Sequence, residues 1–488
     1  MKPVTLRSVA WYQMRRELSR PSLWATLAAL GVLTIFSVAL GLREIDARHL
    51  QYTRSLQQLV QDQLRASAGF SGRQVEPALR VIRPPGAGTV IARGVEPFEP
   101  ASWDFGPGGR VPASNDSAQD SEATAGEPLD LEFLVRVIGG LLAMTLSVRA
   151  IVGDRESGLA SALRGFPVRA PVVALGMLLG QAAVLLGGLA LVGLIACGMV
   201  LMNAPPDVSA VIRHGLLTAA PVAGAYLLLL LTLGALVGLL IRREASAYTA
   251  AFALWLVIAV LAPQLLTMAT RLAVPLAPQP AMLAERDDTI ADGTRSAEER
   301  LGRLVEAFAT ADASTVRISV DAHHADLEHA WNDDASAART RARLIEDAWN
   351  DRLAQRRRLT HWSDWLSPGS ILSSAVANAA QTGVVVQQAW DHLTLAHQGS
   401  LEQQLFDNRP RVTIRVPSGD SYELLALDRH QPPRLAELPR FTPPSPDQTS
   451  GALAAIVAAG QLLLYAAIAM SVAVWLFGRR SPSLPADR

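Results

Sequence analysis

Cysteine, lysine and net charge are nearly missing from this 488-residue sequence, and each absence narrows what it can do. The one cysteine, Cys197, lies inside an apolar run. No intrachain disulfide can form, so any extracytoplasmic part must fold on packing alone. Lys2 is the only lysine among 44 Lys and Arg side chains. A Walker-type phosphate loop needs its Lys directly after a Gly-rich turn, where it reaches the β/γ-phosphates. Only Met1 precedes Lys2, so these residues carry no ATPase of that type. Formal net charge is +0, which gives no global pull toward nucleic acid. The G-x-S-x-G elbow, the H-E-x-x-H pair and Cys-based catalytic patterns are also missing. The residues point to a non-enzyme with no cofactor of its own.

Charged residues make up 18% of the chain, below the roughly 25% usual for soluble domains. The apolar excess is concentrated in long runs, and mean hydropathy is +0.22. Six runs are long enough to cross a bilayer, which takes about 20 residues. They cover 22–42, 131–148, 172–202, 215–241, 247–270 and 451–477. A cleavable signal peptide is the competing reading of the first run. However, helical sequence continues past it through Ile45, Tyr52, Leu56, Leu59 and Val60, which favours an uncleaved span. Residues 1–20 carry Lys2 and four arginines, with Leu6, Ala10, Met14 and Leu18 recurring every four positions. That spacing suits a helix lying in the membrane interface, with a solvated basic leader as the bland alternative.

Six spans place both termini on one side, and the positive-inside rule says which. The N-terminus, the 149–170 loop, the Arg242-Arg243 loop and the Arg479-Arg480 tail all carry arginine, and all fall on that side. Both termini and the 478–488 tail are therefore expected in the cytoplasm, with 43–129 and 271–449 outside. Residues 66–128 are Gly/Pro/Ser-rich and read as irregular and partly disordered. Residues 283–360 are helix-forming, a further helical stretch covers roughly 371–406, and 411–427 suits a short strand pair. The expected fold class is an all-α polytopic membrane protein, with six transmembrane helices and a mainly helical extracytoplasmic domain.

Ionisable groups are scarce within the spans, where Gln181, Gln264 and Gln461 are the main polar side chains. Arg136, one turn inside the second span, is close enough to its end to snorkel to the interface. An ion-coupled carrier usually buries carboxylates at membrane depth, so their absence points to an energy source elsewhere. Asp321, His324 and Glu328 share one helical face, the spacing a metal would need. No two histidines there lie three or four apart. We assign them to a solvated polar face and assign no metal.

The stretch Ser147–Gln181 organises the rest. An apolar run ends at its start and another begins at Pro171. Between them lie Asp154-Arg155-Glu156, Gly158, Leu159, Leu163, Arg164 and Phe166-Pro167-Val168-Arg169, followed by Leu175-Gly176. With six spans and a basic N-terminal helix, this pattern resembles the permease subunits of ABC transporters of the ABC-2 type, over essentially the whole chain. Their first cytoplasmic loop typically reads acidic-x-E-x-G-T, leucines, Pro-[V/I]-x-R and a returning L-G-K. Asp154, Glu156, Gly158, Pro167, Val168, Leu175 and Gly176 occupy those places. Leu159 stands for the Thr, Met177 for the Lys, and Arg169 comes one residue early. The large insertion between the last two spans marks a subgroup.

The resemblance implies a permease that moves a substrate across the bacterial inner membrane. It implies a separate ABC ATPase subunit that binds the ATP, a second permease copy or paralogue, and lipid around both. In such permeases the loop is a coupling helix seated in the ATPase, a role that falls here to Asp154, Arg155, Glu156, Gly158, Leu159, Leu163 and Pro167. Arg242, Arg243 and Glu244 give a second contact. A different class stays open on the residues: a membrane-anchored scaffold whose outer domain binds an envelope partner without transport. A neighbouring ATPase gene separates the two.

Overall fold

The apolar runs become helices because nothing in them offers the backbone a better partner than itself. The computed structural model describes residues 5–68, 79–96, 101–106, 109–112, 129–156, 170–241, 243–308, 324–405, 413–418, 421–426, 439–444 and 448–480. Helix α1 is Leu6–Leu18, capped by Thr5, whose hydroxyl accepts from Ser8 N. Helix α2 is Pro21–Ala68. Helix α3 covers 131–156 and includes a π-helical stretch, Leu134–Gly139. Helix α4 is Ala170–Asn203 and α5 is Pro206–Leu240. Helix α6 covers Glu244–Ala273, with a second π-helical stretch at Val257–Leu261. After the insertion, α11 is Gln448–Arg480. Helices α2 to α6 and α11 hold the six segments long and apolar enough to cross a membrane.

Helix α5 sits at the centre. Of its most apolar stretch 83% is buried, against 17% for α6. Leu229, Leu230 and Leu231 are all buried, as befits a helix apolar all round. It packs on α3, α4 and α11. Small residues permit the closeness: a Cβ on Gly234 would lie 2.7 Å from the Met144 carbonyl oxygen of α3. Helix α5 begins at Pro206, ahead of the apolar run that starts near Gly215, because Pro205-Pro206 starts a helix well.

The two long insertions leave from the same end of the bundle, here the insertion end. Helix α7 (Gln279–Phe308) and helix α8 (His324–Asp364) form a long pair beyond α6. Arg286 is fully buried between them and donates to the Arg110 carbonyl (3.0 Å) and to Asp287 (2.8 Å). The stretch expected as one helix near 371–406 is two, α9 (Pro368–Ala379) and α10 (Val384–Leu405). Gln381 adopts φ 60 at the break, and the Thr382 hydroxyl donates to the Ala92 carbonyl at 2.8 Å. The region read as irregular holds a three-stranded antiparallel sheet: β1 (Val81–Ile82), β2 (Ser102–Gly106) and β3 (Gly109–Pro112). Trp103 and Phe105 of β2 point into a small core with Trp390, Leu401 and Phe441. Trp103 stacks on Trp390 at 6.1 Å, and Trp390 on Phe441 at 5.7 Å. The expected strand pair forms as β4 (Thr413–Ser418) and β5 (Ser421–Ala426). Residues 115–127 lie outside the described residues.

Segment 79–96 ties this domain to the bundle. The turn Ala87–Val90 packs on α2 and α5. A Cβ on Gly88 would lie 1.7 Å from the Ala380 carbonyl oxygen, so only glycine fits against the α9–α10 break. Glu96 accepts from Arg48 (3.3 Å) and from Gly86 N (2.9 Å), and Glu44 joins Arg93 to Arg48. Burial holds the Glu96 carboxyl above its usual range.

Gly88→Ala is expected to cost about 2 kcal/mol, the scale of an overpacked site. Thermal melting of the detergent-solubilised protein reads this as a lowered midpoint. Gly187→Ala, where a Cβ meets nothing within 4 Å, leaves the midpoint unchanged.

Candidate functional site

Alternation of the six segments gathers α1, the end of α3, the start of α4, the end of α5, the start of α6 and the last turn of α11 at the end opposite the insertions. Phe477 lines the same apolar crevice as Ala150, Ile151, Ala174 and Leu239, which brings the ends of α11, α3, α4 and α5 together. Asp154, Arg155 and Glu156 are the last three residues of α3. Gly158, Leu159, Leu163 and Pro167 lie outside the described residues, as does Arg242. Arg243 is exposed and sits at the N-cap of α6, with Glu244 in the first turn. The two loops thus leave from one end of the bundle, flanking helices that pack together.

Helix α1 is a helix as expected, but its inward face differs. Leu6, Val9, Ala10 and Gln13 press on α4, where Gly176 and Gly180 leave room: a Cβ on Gly180 would lie 2.6 Å from the Ala10 carbonyl oxygen. Gln13 and Glu17 are buried, while Trp11 and Tyr12 face outward. Glu17 is held by Arg20 (2.6 and 2.8 Å) and by Gln13 (3.3 Å), so a carboxylate on the packed face stays paired. Glu17, Arg20, Arg149 and Glu244 all lie within electrostatic reach of the Tyr248 hydroxyl. This links α1 to the ends of α3 and α6, beside both candidate coupling loops.

A second polar cluster lies nearer the insertion end, and sequence reasoning missed it. Arg136 does not snorkel. It is buried in the π-helical stretch of α3, donating to Glu132 at 2.8 Å and to the Ala259 carbonyl of α6 at 2.6 Å. Ala259 lies in the other π-helical stretch. The Arg136 carbonyl accepts from the Tyr226 hydroxyl (3.2 Å), and the Val137 carbonyl from Trp255 Nε1 (3.1 Å). Glu132 also accepts from Ser373 of α9 at 2.5 Å. One buried ion pair therefore joins α3, α5, α6 and α9. Asp130 caps α3 by accepting from Phe133 N (2.8 Å) and also accepts from Arg93 N (3.1 Å). Burial, then the neighbouring Glu132, pushes its carboxyl up to about 7. The signal available in sequence was the triplet Asp130, Glu132, Arg136 at i, i+2, i+6, with Glu132 and Arg136 one turn apart.

Gln181 is buried and donates to the Leu146 carbonyl at 3.4 Å, a helix-to-helix bond with no ionisable group. Asp321 lies outside the described residues, as do the side chains of His324 and Glu328. Among the described residues no three His, Cys, Asp or Glu side chains are grouped to hold a metal.

Six apolar helices around a central α5, short connections at one end and a large folded insertion at the other define a multi-pass membrane protein. The family of ABC-2 family transporter proteins matches residues 7–481, nearly the whole chain, and the protein belongs to it. That family is the membrane component of transport systems and generally works with an ABC ATPase. No curated protein matches the chain.

Arg136→Ala, which strands Glu132 in the bundle, is expected to destabilise the protein by about 3 kcal/mol. The paired Glu132→Gln/Arg136→Met change recovers most of that loss, and denaturant melts of both variants check it. A pH series tests Asp130. Its folded carboxyl sits at about 7 against 3.8 ordinarily, so the native state binds the proton more tightly than the unfolded chain. Stability then falls as pH rises from 3.8 to about 7 and levels off above. Asp130→Asn should flatten that slope.

Proposed function

We propose that this chain is the permease subunit of an ATP-driven ABC transporter of the bacterial inner membrane, with both termini in the cytoplasm. The observation that carries the proposal is the family match across residues 7–481 together with six spans. The chain lacks a phosphate-loop lysine, so the ATP is bound by a separate subunit. The substrate path lies between this permease and a second copy or paralogue.

In this reading residues 149–170 are where the motor docks. Asp154, Arg155 and Glu156 extend α3 toward the partner, and Gly158, Leu159, Leu163 and Pro167 shape the segment that follows. Arg243 and Glu244, with Arg242, make the second contact. Two features of the fold support this. Both loops leave from the end where α1 clamps α4, and the charges around Tyr248 lie beside both. A push on the first loop is then delivered to α3 and α4 directly, and to the central α5 through their packing.

Co-purification with the neighbouring ATPase tests the assignment. Glu156→Arg and Gly158→Trp should abolish recovery of the ATPase and its stimulation, while the permease itself still reaches the membrane. Unchanged binding and unchanged hydrolysis in both variants would overturn it.

A further inference from the structure

The lower part of α8 runs antiparallel to the insertion-end half of α6. Two contacts fix the register: Trp349 Nε1 donates to the Ala277 carbonyl at 3.0 Å, and the Thr360 and Thr270 hydroxyls meet at 3.5 Å. Thr360 also bonds the Arg356 carbonyl one turn back (3.0 Å). That register sets Arg356 beside Arg271, near enough for the two cations to repel, with Arg352 and Arg358 exposed on the same stretch of α8. Among the described residues, neither Arg356 nor Arg271 has a carboxylate within ion-pair distance. This is unlike Arg357 next door, which is held by Asp391 at 3.2 Å. Two neighbouring cations without a counter-ion attract an anion.

Depth says what kind of anion. Past Thr360 the chain descends beside the spans. The Trp365 carbonyl accepts from the Tyr465 hydroxyl at 2.9 Å, and Tyr465 lies midway along α11. Along this descent the side chains left outside are mostly apolar: Leu359, then Trp362 at 71% exposed beside an exposed His361, Trp365, and Leu366 at 77%. Helix α6 follows the same gradient, from Arg271 past Met268 and Leu265 to Leu261, all three exposed. Both helices therefore place an arginine at one level and a mainly apolar surface below it, with Trp362 and Trp365 on the α8 side. This is the order of a phospholipid read from headgroup to chain.

We propose that Arg271 and Arg356 form a binding site for the phosphate of an anionic glycerophospholipid in the leaflet on the insertion side, its acyl chains lying along Trp362, Met268 and Leu265. Thr270 and Thr360 brace the two helices beside the site, their hydroxyl protons already given to the Thr267 and Arg356 carbonyls. The arginine pair sets the headgroup preference, and the apolar surface below it is satisfied by any chain.

The full-length protein is reconstituted with mixed phosphatidylglycerol and phosphatidylcholine, extracted, and its retained lipid measured by native mass spectrometry. Wild type should retain phosphatidylglycerol about tenfold over its share of the mixture, the scale of two interfacial arginines. Arg271→Gln/Arg356→Gln should lose that preference, and Arg271→Lys/Arg356→Lys should keep most of it. Should the Gln pair fail to fold, a second measurement on wild type decides: chain-brominated phosphatidylglycerol should quench tryptophan emission more than brominated phosphatidylcholine, and Trp362→Phe should remove the difference. Equal retention of the two lipids by wild type overturns the proposal. So does an undiminished preference in a folded Gln pair. Glycerol phosphate added to protein in phosphatidylcholine should leave the emission unchanged; a saturable shift would assign the site to a soluble phosphate compound and overturn the lipid assignment.

Discussion

In a bilayer, a backbone carbonyl that loses its helical donor has no water to turn to. The two π-helical stretches, Leu134–Gly139 and Val257–Leu261, create that situation within two of the spans. Their solution governs the bundle. Donors come from neighbouring helices: Tyr226 from α5, Trp255 from α6, and the Arg136 guanidinium from α3. Using a guanidinium brings a full charge into the bundle, so Glu132 must be there to neutralise it. Glu132 then has acceptor capacity left, which Ser373 of α9 takes. The insertion domain is thereby tied to the bundle by a group whose first duty is to satisfy the spans.

What could be read from the sequence follows the range of the forces involved. The six runs were legible because spanning depends only on local apolar length. The hairpin β4–β5 was legible from alternation at Val412, Ile414 and Val416 around a turn. The inward face of α1 was not, because it is chosen by Gly176 and Gly180, more than 150 positions away. Arg136 was misplaced for the same reason: nothing near it in the chain announces the Ala259 carbonyl. The sheet β1–β3 was hidden by its short strands and Gly/Pro-rich surroundings. Its true mark is the pair Trp103 and Phe105, whose partners Trp390 and Phe441 come from the far insertion. The proposed coupling role of 149–170 rests on resemblance to related loops alone, and most of that segment lies outside the described residues.

The two ends of the molecule therefore use opposite chemistry for one purpose. At the end with the short connections, small residues let α1 sit against α4, and paired charges gather around the loops. At the insertion end, glycine 88 and a buried ion pair lock a large domain onto the spans. Between them α5 is buried in the bundle and bonded to α3 through the Tyr226 hydroxyl, so it slides or tilts only with its neighbours.

Helix α2 joins these ends in one piece. Its 48 residues run without a break from Pro21, just after the α1 clamp, to Ala68 beyond the membrane. At 1.5 Å per residue that is a rod of about 72 Å, more than twice the thickness of the hydrocarbon layer. A rigid rod is a displacement amplifier: pivoting it by about 5° where Arg48 is held moves Ala68, about 30 Å further on, by about 3 Å. The Glu44–Arg48–Glu96 contacts grip it partway along, as a fulcrum would. The far tip of the helix therefore reports, in ångströms, on angular changes at the opposite membrane face that would themselves be too small to see.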